Sequence, residues 1–249
     1  MTGNKPVDEG RRGFLMSSVA VAATLLAPGV TLYAMGGDAA AAETAPASAK
    51  VRWGLLIDAA KCKNGCAACI DACSSAHGWQ STGHPETDAQ WVRKITATDP
   101  KTGAGFSAPV MCQHCANAPC VDVCPTGASF KRADGIVLVD RHICIGCRYC
   151  MMACPYKARS FVHEPVADQK PDAPRGKGTV EGCTLCASRI DAGGVPHCVE
   201  ACKAEGHGAI VFGDLNDPSS DIAKRIATYR STRIRADLGC DAAVYYTNI

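Results

Sequence analysis

The stretch CIGCRYCMMACP, residues 144–155, places four cysteines before a proline. Three of them follow the spacing C-x2-C-x2-C, which holds the chain in a tight loop, so three sulfurs can converge on one centre. Cys154 comes three residues later, where the chain leaves the loop, and it points away from that centre. A four-iron cube needs four thiolate ligands. This stretch is therefore expected to give three ligands to one cube and to lend Cys154 to a neighbouring cube.

Sixteen of the seventeen cysteines fall into four such groups, and Cys240 is left over. In bacterial two-cluster ferredoxins the fourth cysteine of this run ligates the other cluster. Each quartet therefore requires a partner, and four quartets make two exchanging pairs. Pro125 and Pro155 follow the last cysteines of the second and third quartets, which marks these two as the most ferredoxin-like pair. The quartets are Cys62-x3-Cys66-x2-Cys69-x3-Cys73, Cys112-x2-Cys115-x4-Cys120-x3-Cys124, Cys144-x2-Cys147-x2-Cys150-x3-Cys154 and Cys183-x2-Cys186-x11-Cys198-x3-Cys202.

Disulfide bonds and zinc are the two other uses for so many cysteines. Exported cysteine-rich proteins usually carry a disulfide scaffold, but such a framework has no reason to repeat C-x2-C and x3-C-P. Zinc ribbons use paired C-x2-C knuckles and do not need a third cysteine two residues later. The spacing therefore favours four [4Fe–4S] clusters.

The bulk composition excludes little else. The formal net charge is +2, so no strong field draws the chain to nucleic acid or to anionic lipid. Aromatic residues make up 6% of the chain, and 24 glycines with 14 prolines indicate a loop-rich fold with short elements. The sequence shows no nucleophile, general-base pair or phosphate-binding loop, so we expect no substrate site and no enzyme activity of its own.

Residues 1–38 are predicted to be a twin-arginine export signal. GRRGFLM (10–16) precedes a short apolar run from Val19 to Leu26, and small residues surround Tyr33-Ala34. The motif departs from the usual pattern at its first and last residues, and a Sec signal or a short membrane anchor is the alternative. The twin-arginine route exports folded proteins, so a cofactor can travel with its protein. We therefore expect a periplasmic, membrane-associated protein, whose membrane contact needs a partner or an uncleaved signal.

The remaining chain is divided into three parts. Residues 39–50 are rich in alanine and proline and are predicted to be a flexible linker. Residues 51–215 are predicted to form the four-cluster domain, and 216–249 a C-terminal helix and tail that pack on it. Asp217 is expected to cap that helix with Pro218 at its first position. Ile222, Ile226 and Tyr229 follow at helical spacing.

The predicted fold class is α+β, with duplicated, interleaved two-cluster ferredoxin-like modules built from short strands, short helices and long loops. Residues 128–139 read as two short strands around a turn at Asp134-Gly135. Residues 208–212 follow the fourth quartet as 128–130 follow the second, which suggests the duplication. Residues 163–181 are rich in proline, glycine and charge and are predicted to be a loop. The tail 245–249 is either a strand or an interface strip.

Several other side chains lie close in sequence to the quartets. His114 could be a cluster ligand, but with sixteen cysteines present a supporting or surface position is expected. Cys240 is expected to be buried and inert. Basic residues near a cluster raise its reduction potential by stabilising the reduced form, although ordinary surface solvation is the alternative for each one. The basic residues near quartets are Lys131, Arg132, Arg148, Lys157 and Arg159.

The four quartets, spread over residues 55–212 and followed by GDLNDPSSDIAKRIA, resemble the four-cluster ferredoxin subunits of polysulfide, dimethyl sulfoxide, nitrite and formate redox complexes. The resemblance covers nearly the whole predicted mature chain. A signal on the chain itself, no apolar segment near the C-terminus that could cross a membrane, and the extra residue between Cys62 and Cys66 are most similar to the periplasmic members that serve dissimilatory sulfur metabolism.

In that family the first quartet pairs with the fourth and the second with the third. Carried to this chain, the resemblance implies one cube for each of four ligand sets. The extra residue between Cys62 and Cys66 makes Cys62 the least secure ligand. The implied sets are Cys62, Cys66, Cys69 with Cys202; Cys183, Cys186, Cys198 with Cys73; Cys112, Cys115, Cys120 with Cys154; and Cys144, Cys147, Cys150 with Cys124.

The resemblance also implies a function and partners. The chain would relay single electrons between an integral membrane quinone-interacting subunit of the NrfD type and a periplasmic multihaem cytochrome c. The sequence leaves three alternatives open. They are the same relay in a molybdopterin reductase for polysulfide, tetrathionate or dimethyl sulfoxide, a free periplasmic electron carrier, and a disulfide-bonded secreted binding scaffold.

Overall fold

A three-stranded sheet holds the two ends of the described chain together. In the computed structural model, which describes residues 47–167, 169–171 and 173–249, β1 (Trp53–Asp58) is the central strand. β8 (Ile210–Asp214) pairs with it antiparallel, and β9 (Val244–Thr247) pairs with it parallel. Leu55 and Ile57 are fully buried, as expected for an apolar run covered on both faces.

The predicted export signal lies outside the described residues, as does most of the predicted linker. The domain boundaries at 51, 215 and 216 stay predictions. The tail, in contrast, is decided: Val244–Thr247 forms the strand β9, and Tyr246 within it is fully buried. Of the two alternatives for the tail, the strand is therefore correct.

Three two-stranded pairings accompany the sheet. β2 (Val92–Thr98) and β3 (Gly105–Met111) form an antiparallel hairpin that was not predicted from the sequence. β4 (Ser129–Lys131) and β5 (Val137–Val139) form the predicted hairpin. Gly135 in its turn has φ 86°, a conformation that glycine adopts without strain. β6 (Ser160–Phe161) pairs with β7 (Val180–Glu181), so the loop predicted for residues 163–181 is wrong at its last two residues, which form a strand.

The helices are short, and most of them carry cysteines. α1 (Ala68–His77) and α5 (His197–Ala204) pack against each other and hold two cysteines each. The remaining helices are α2 (Pro119–Asp122), α3 (Tyr149–Ala153), α4 (Ala187–Asp191), α6 (Asp221–Thr228) and two 3-10 turns at Ala59–Lys61 and Ala236–Leu238. This mixture of short helices and strands fits an α+β protein. The duplication of modules stays a prediction.

The C-terminal helix differs from its prediction at both ends. α6 begins at Asp221, and its cap is Ser220, whose Oγ accepts a hydrogen bond from the Ala223 N–H at 3.2 Å. Asp217 instead closes the preceding turn by accepting from the Ser219 N–H at 2.8 Å. Tyr229 lies beyond the helix in extended backbone and is 59% exposed. Ile222 alone of the predicted apolar positions is fully buried.

Two apolar cores fill the described chain, and both are rich in cysteine. The first surrounds β1, α1 and α5 and includes Trp91 and Tyr246. The second lies between the β4–β5 hairpin and the loop that precedes β6, and it includes Val137 and Tyr156. Cys183 packs against both. Most of the cysteines therefore take part in the cores, whereas Cys147 is exposed.

Candidate metal centres

Three spaces in the structure are each lined by four cysteines from two quartets. We call them site 1, site 3 and site 4. In each, three cysteines come from one quartet and the fourth from the partner quartet. Site 1 is lined by Cys62, Cys66, Cys69 and Cys202; site 3 by Cys112, Cys115, Cys120 and Cys154; site 4 by Cys144, Cys147, Cys150 and Cys124.

The remaining four grouped cysteines also come together. The charges of Cys73, Cys186 and Cys198 all act on Cys183, and Cys73 and Cys186 act on Cys198. We call this group site 2. It combines three cysteines of the fourth quartet with Cys73 of the first. Each of the sixteen grouped cysteines thus lies near cysteines of its partner quartet, and the four ligand sets stay a prediction.

The chain turns back on itself in each of two cysteine loops by using left-handed backbone. Gly146 has φ 68° and Arg148 has φ 65° within the loop of site 4. A side chain at Gly146 would collide with the carbonyl oxygen of Gly178, so the loop can approach the segment before β7 this closely only with glycine there. Leu185 and Cys186 take the same conformation in the loop of site 2. These turns aim successive sulfurs inward.

The cysteine that each quartet lends to its partner accepts a hydrogen bond. Backbone N–H groups of Ser129, Ala158 and Ala209 donate to the sulfurs of Cys124, Cys154 and Cys202 at 3.4, 3.5 and 3.2 Å, respectively. The indole Nε1 of Trp79 donates to Cys73 at 3.5 Å. Such bonds stabilise negative charge on sulfur. Each lent sulfur thus has a hydrogen-bond donor that would stabilise it as a cluster ligand.

Burial alone would keep most of these groups protonated. Burial raises the pKa of Cys69 and Cys112 to about 11 and that of Cys73 to about 12. At Cys124 burial raises the pKa, but hydrogen bonds led by the Ser129 N–H outweigh it and lower the pKa. Closely packed, buried sulfurs need a positively charged centre to become thiolates, and metal binding displaces their protons. The donor set therefore fits iron–sulfur clusters.

The four sites are arranged as a chain of neighbours. Cys69 of site 1 and Cys198 of site 2 are close enough for their charges to interact. Cys183 of site 2 interacts in the same way with Cys112 of site 3. Cys120 of site 3 interacts with Cys150 of site 4. The order along the molecule is therefore site 1, site 2, site 3, site 4, which differs from the order of the quartets along the sequence.

The two terminal sites are nearer to solvent than the two central ones. Cys147 of site 4 is exposed, and Cys62 and Cys66 of site 1 are half-buried. Site 3 contains four buried cysteines. The row of four sites is thus closest to solvent at its two ends, site 1 and site 4.

Some side chains contribute to the sites in ways that sequence reasoning missed. His77 places Nε2 3.3 Å from the sulfur of Cys186 and stacks on Trp91 with ring centroids 4.8 Å apart. Trp79 donates its indole hydrogen bond to Cys73. Neither His77 nor Trp79 has a spacing signal, because each reaches its sulfur through the fold. Both flank the end of α1, so proximity to Cys73 was the one available hint.

His114 supports the structure and is not at the surface. It is 1% exposed, and its Nδ1 accepts a hydrogen bond from the Val137 N–H at 3.1 Å. Burial, assisted by the positive charge of Arg159, lowers the pKa of His114 to about 3. The neutral ring therefore joins the cysteine loop of site 3 to β5. Cys240 is buried, as predicted, beside Cys115 and Tyr156.

The cysteines of the described ranges form neither disulfide bonds nor a site for a single metal ion. All seventeen cysteines lie in these ranges, and none is joined in a disulfide. No three His, Cys, Asp or Glu side chains of the described residues converge on one ion-sized point. Twelve of the cysteines instead line sites 1, 3 and 4 in sets of four. In the same part of the chain, none of the helices combines the length and apolarity needed to cross a bilayer.

Comparison with known proteins shows the class to which the chain belongs. Residues 104–215 match the 4Fe-4S dicluster domain. The chain is 39% identical over 227 residues to an Hdr-like menaquinol oxidoreductase iron-sulfur subunit of Archaeoglobus fulgidus, with 80% of this chain and 84% of the relative covered. It is 38% identical to a putative dimethyl sulfoxide reductase iron-sulfur subunit of Halobacterium salinarum, with 79% of each covered. It is 35% identical to a tetrathionate reductase subunit of Salmonella typhimurium, with 81% and 74% covered.

These matches establish the family. The chain belongs to the family of iron–sulfur electron-transfer subunits of oxidoreductase complexes. Its cofactors are [4Fe–4S] clusters, and its sixteen grouped cysteines suffice for four.

Proposed function

We propose that this protein relays single electrons through four [4Fe–4S] clusters, one at each of sites 1 to 4. The ligands are the four cysteines that define each site. The observation that carries this proposal is the continuous order of the sites, in which a cysteine of each one neighbours a cysteine of the next. A disulfide scaffold or isolated zinc knuckles would not require that continuity.

When bound, a [4Fe–4S] cluster accepts and releases one electron at a time with little rearrangement. The protein supplies ligands, hydrogen bonds and exclusion of water. Crossed ligands tie site 1 to site 2 through Cys73 and Cys202, and site 3 to site 4 through Cys124 and Cys154. Neighbouring centres are therefore held rigidly, and the chain needs no substrate site of its own.

Site 4 is proposed to face the membrane partner. Ile145 and Met152 beside it are 67% and 75% exposed, and Ile143 and Tyr149 are 49% and 57% exposed. Such a cluster of exposed apolar side chains is typical of an interaction surface. We assign this surface, which we call the site 4 face (Ile143, Ile145, Tyr149 and Met152), to an integral membrane quinone-interacting subunit of the NrfD type.

Site 1 is proposed to face a soluble partner. Lys63 lines this site, and Lys61 and Lys203 are exposed beside it. A polar, lysine-bearing rim suits a partner that is encountered through water and carries acidic groups. We assign this end to a periplasmic multihaem cytochrome c, whose haem propionates are anionic.

Within the family we propose the role of DsrO, the periplasmic iron–sulfur subunit of the DsrMKJOP complex in dissimilatory sulfur metabolism. The predicted twin-arginine signal at residues 1–38 and the extra residue between Cys62 and Cys66 support this role. The protein is then exported folded to the periplasm. It is held at the membrane by its partner or by an uncleaved signal.

The first experiment measures the cofactor content. Protein purified without oxygen is expected to contain about 16 irons and as much acid-labile sulfide per chain, with broad, mutually coupled EPR signals after reduction. A content of about 12 to 15 irons with a three-iron signal would keep the relay but identify one altered site. Zinc, or no metal with oxidised thiols, would refute the proposal.

A second experiment tests the assignment of the site 4 face. Ile145→Glu with Met152→Glu is expected to abolish copurification with the membrane subunit while the iron content stays unchanged, because both side chains project into solvent. Leu238→Glu is the control, since Leu238 is 43% exposed on another element. Copurification of the double variant at the level of the control would overturn the assignment.

A second candidate function is the same relay in a molybdopterin reductase. It is favoured by the names of two relatives, a putative dimethyl sulfoxide reductase iron-sulfur subunit and a tetrathionate reductase subunit. Copurification from the native host distinguishes the two. A molybdenum-containing partner would support the reductase, whereas a multihaem cytochrome without molybdenum would support the first proposal.

A further inference from the structure

The loop that leaves Cys154 brings a positive charge into the protein interior. Arg159 is 7% exposed, and it lines site 3 together with Cys112, Cys120 and Cys154. Its Nη2 donates a hydrogen bond to the sulfur of Cys120 at 3.4 Å. Its charge also acts on Cys150 of site 4. A single guanidinium thus lies between the last two sites of the relay.

A buried guanidinium requires a nearby negative charge. Removing a charge from water without a partner costs several kcal/mol. None of the ion pairs formed by the described residues includes Arg159. The structure places the sulfurs of site 3 around the guanidinium: Arg159 lines that site with Cys112, Cys120 and Cys154 and contacts Cys120 directly. As cluster ligands these cysteines would be thiolates, and they would supply the counter-charge of Arg159.

The structure holds Arg159 in this position from both sides. The next residue, Ser160, begins β6 and accepts a hydrogen bond from the Gln90 N–H at 2.9 Å. A Cβ built on Gly182 would lie 3.5 Å from Cδ of Arg159 and 2.7 Å from the carbonyl oxygen of Ala158. The 3.5 Å separation is an ordinary contact and the 2.7 Å separation is a clash, so glycine at 182 allows this segment to pass close to the backbone that leads into Arg159. The side chain is placed by the fold and is not a mobile surface group.

We propose that Arg159 sets the reduction potential of site 3 and, more weakly, of site 4, and makes them easier to reduce than they would be without it. This inference rests on the proposed function, because it requires clusters at these sites. Reduction adds negative charge to a centre that is already anionic through its four thiolates. A fixed positive charge in a poorly solvated region stabilises that added charge. Arg159 thus favours electrons on the half of the relay that ends at the site 4 face.

The experiment is an anaerobic redox titration of the full chain with its clusters, followed by EPR. Arg159→Met removes the charge and roughly keeps the length, whereas Arg159→Lys keeps the charge but changes the donor geometry. Lys157→Met is the matched control, because it removes the same charge two residues away from an exposed position. Signals are assigned to site 3 or site 4 by their response to Cys120→Ser and Cys147→Ser.

Arg159→Met is expected to lower the equilibrium constant for reduction of site 3 at least about tenfold, which is about 59 mV for a one-electron couple. The change at site 4 is expected to be smaller. Sites 1 and 2 should change by less than about twofold, and Arg159→Lys should recover most of the effect. Lys157→Met should change every site by less than about twofold, because water screens an exposed charge.

The proposal is overturned if Arg159→Met shifts site 3 no more than Lys157→Met does, or if it shifts all four sites equally. If Arg159→Met does not retain its iron, Arg159→Gln supplies the neutral comparison. Retention of iron by Arg159→Lys but by neither neutral variant supports the counter-charge role, and loss from all three indicates a structural role and overturns it. The iron content of the unaltered protein tests the proposed function separately, so failure of one can be told from failure of the other.

Discussion

At the scale of single residues, buried charges in this protein come in two kinds. Arg159 faces thiolates, whereas Glu181 is fully buried and is paired with Arg175 through two hydrogen bonds, each 2.9 Å long. Arg175 also donates to the carbonyl oxygen of Gly78 at 2.7 Å. The carboxylate therefore connects β7 to the end of α1. This pair and the buried Ala173 connect the segment between β6 and β7 to the rest of the chain.

Glu181→Gln is expected to destabilise the protein by about 3–5 kcal/mol, because it leaves a buried guanidinium without its counter-charge. The measurement is the midpoint of anaerobic guanidinium unfolding, followed by cluster absorbance. Asp221→Asn is the control, since its pair with Arg225 is exposed and such pairs contribute about 0–1 kcal/mol. Equal midpoints for the two variants would contradict the role given to Glu181.

At the scale of secondary-structure elements, the unpredicted β2–β3 hairpin supports the least regular cysteine loop. Lys94 on β2 donates from Nζ to the carbonyl oxygen of Cys66 at 2.9 Å and also to that of Lys63. Its charge and hydrogen bond act on the sulfur of Cys62 as well. The extra residue between Cys62 and Cys66 widens this loop. Lys94 closes the widened loop from outside the quartet.

Lys94→Met is therefore expected to make site 1 selectively labile. The iron content should fall by about one per chain, and a three-iron EPR signal should appear, because Cys62 loses its support. Lys94→Arg should retain more of the iron. Lys101→Met, in the exposed turn of the same hairpin, is the control. The iron content is measured after a brief exposure to air. An iron content for Lys94→Met equal to that of the unaltered protein would contradict the role given to Lys94.

The central sheet depends on a close approach at Gly54. A Cβ there would lie 2.5 Å from the carbonyl oxygen of Ala243 and 2.5 Å from Cδ1 of Leu215. The first of these atoms belongs to backbone and cannot move aside without shifting the segment that leads into β9. Gly54 thus allows the two ends of the described chain to meet across β1.

Gly54→Ala is expected to destabilise the protein by about 1–3 kcal/mol through overpacking. Thermal unfolding followed by circular dichroism measures the effect. Gly176→Ala is the matched control, because the nearest atom to its new Cβ would be Cγ2 of Thr179 at 3.7 Å, an ordinary contact. A transition temperature for Gly54→Ala at or above that of the control would show that the sheet tolerates the side chain.

At the scale of the whole molecule, the clusters replace much of an ordinary apolar core. The longest described helix has ten residues, and the largest sheet in the described ranges has three strands. Both cores contain many cysteines. Elements this short are marginally stable unless something else joins them. With the proposed ligands, the clusters would cross-link segments that are far apart in sequence, such as α1 and α5.

Removal of the clusters is therefore expected to unfold the protein. Oxidative release of iron with a chelator, followed by full reduction of the thiols, should abolish the cooperative thermal transition and most of the helical circular dichroism. Full reduction excludes mispaired disulfides as the cause. A reduced, iron-free protein that still unfolds cooperatively near the original temperature would contradict this expectation.

The sequence predicted those features of the fold and the sites that depend on residues close together in the chain. Cysteine spacing and the turn residues Asp134-Gly135 are local, so the four quartets and the β4–β5 hairpin could be predicted from them. The assignment of a lent cysteine to each partner quartet stays a prediction. The β2–β3 hairpin, the N-cap at Ser220 and the contacts of His77 and Trp79 with sulfur were not predicted. Each of these depends on which distant segment packs alongside.

The sequence was sufficient for the chemistry of the sites, because ligand type and loop geometry are encoded within a dozen residues. The linear order of the four sites and the solvent exposure of the terminal ones depend on how the quartets pack. The same holds for the difference between Arg159 and Lys157, which carry the same charge two residues apart. One is buried between two sites and the other lies in water, and burial is a property of the packed chain that no local pattern encodes.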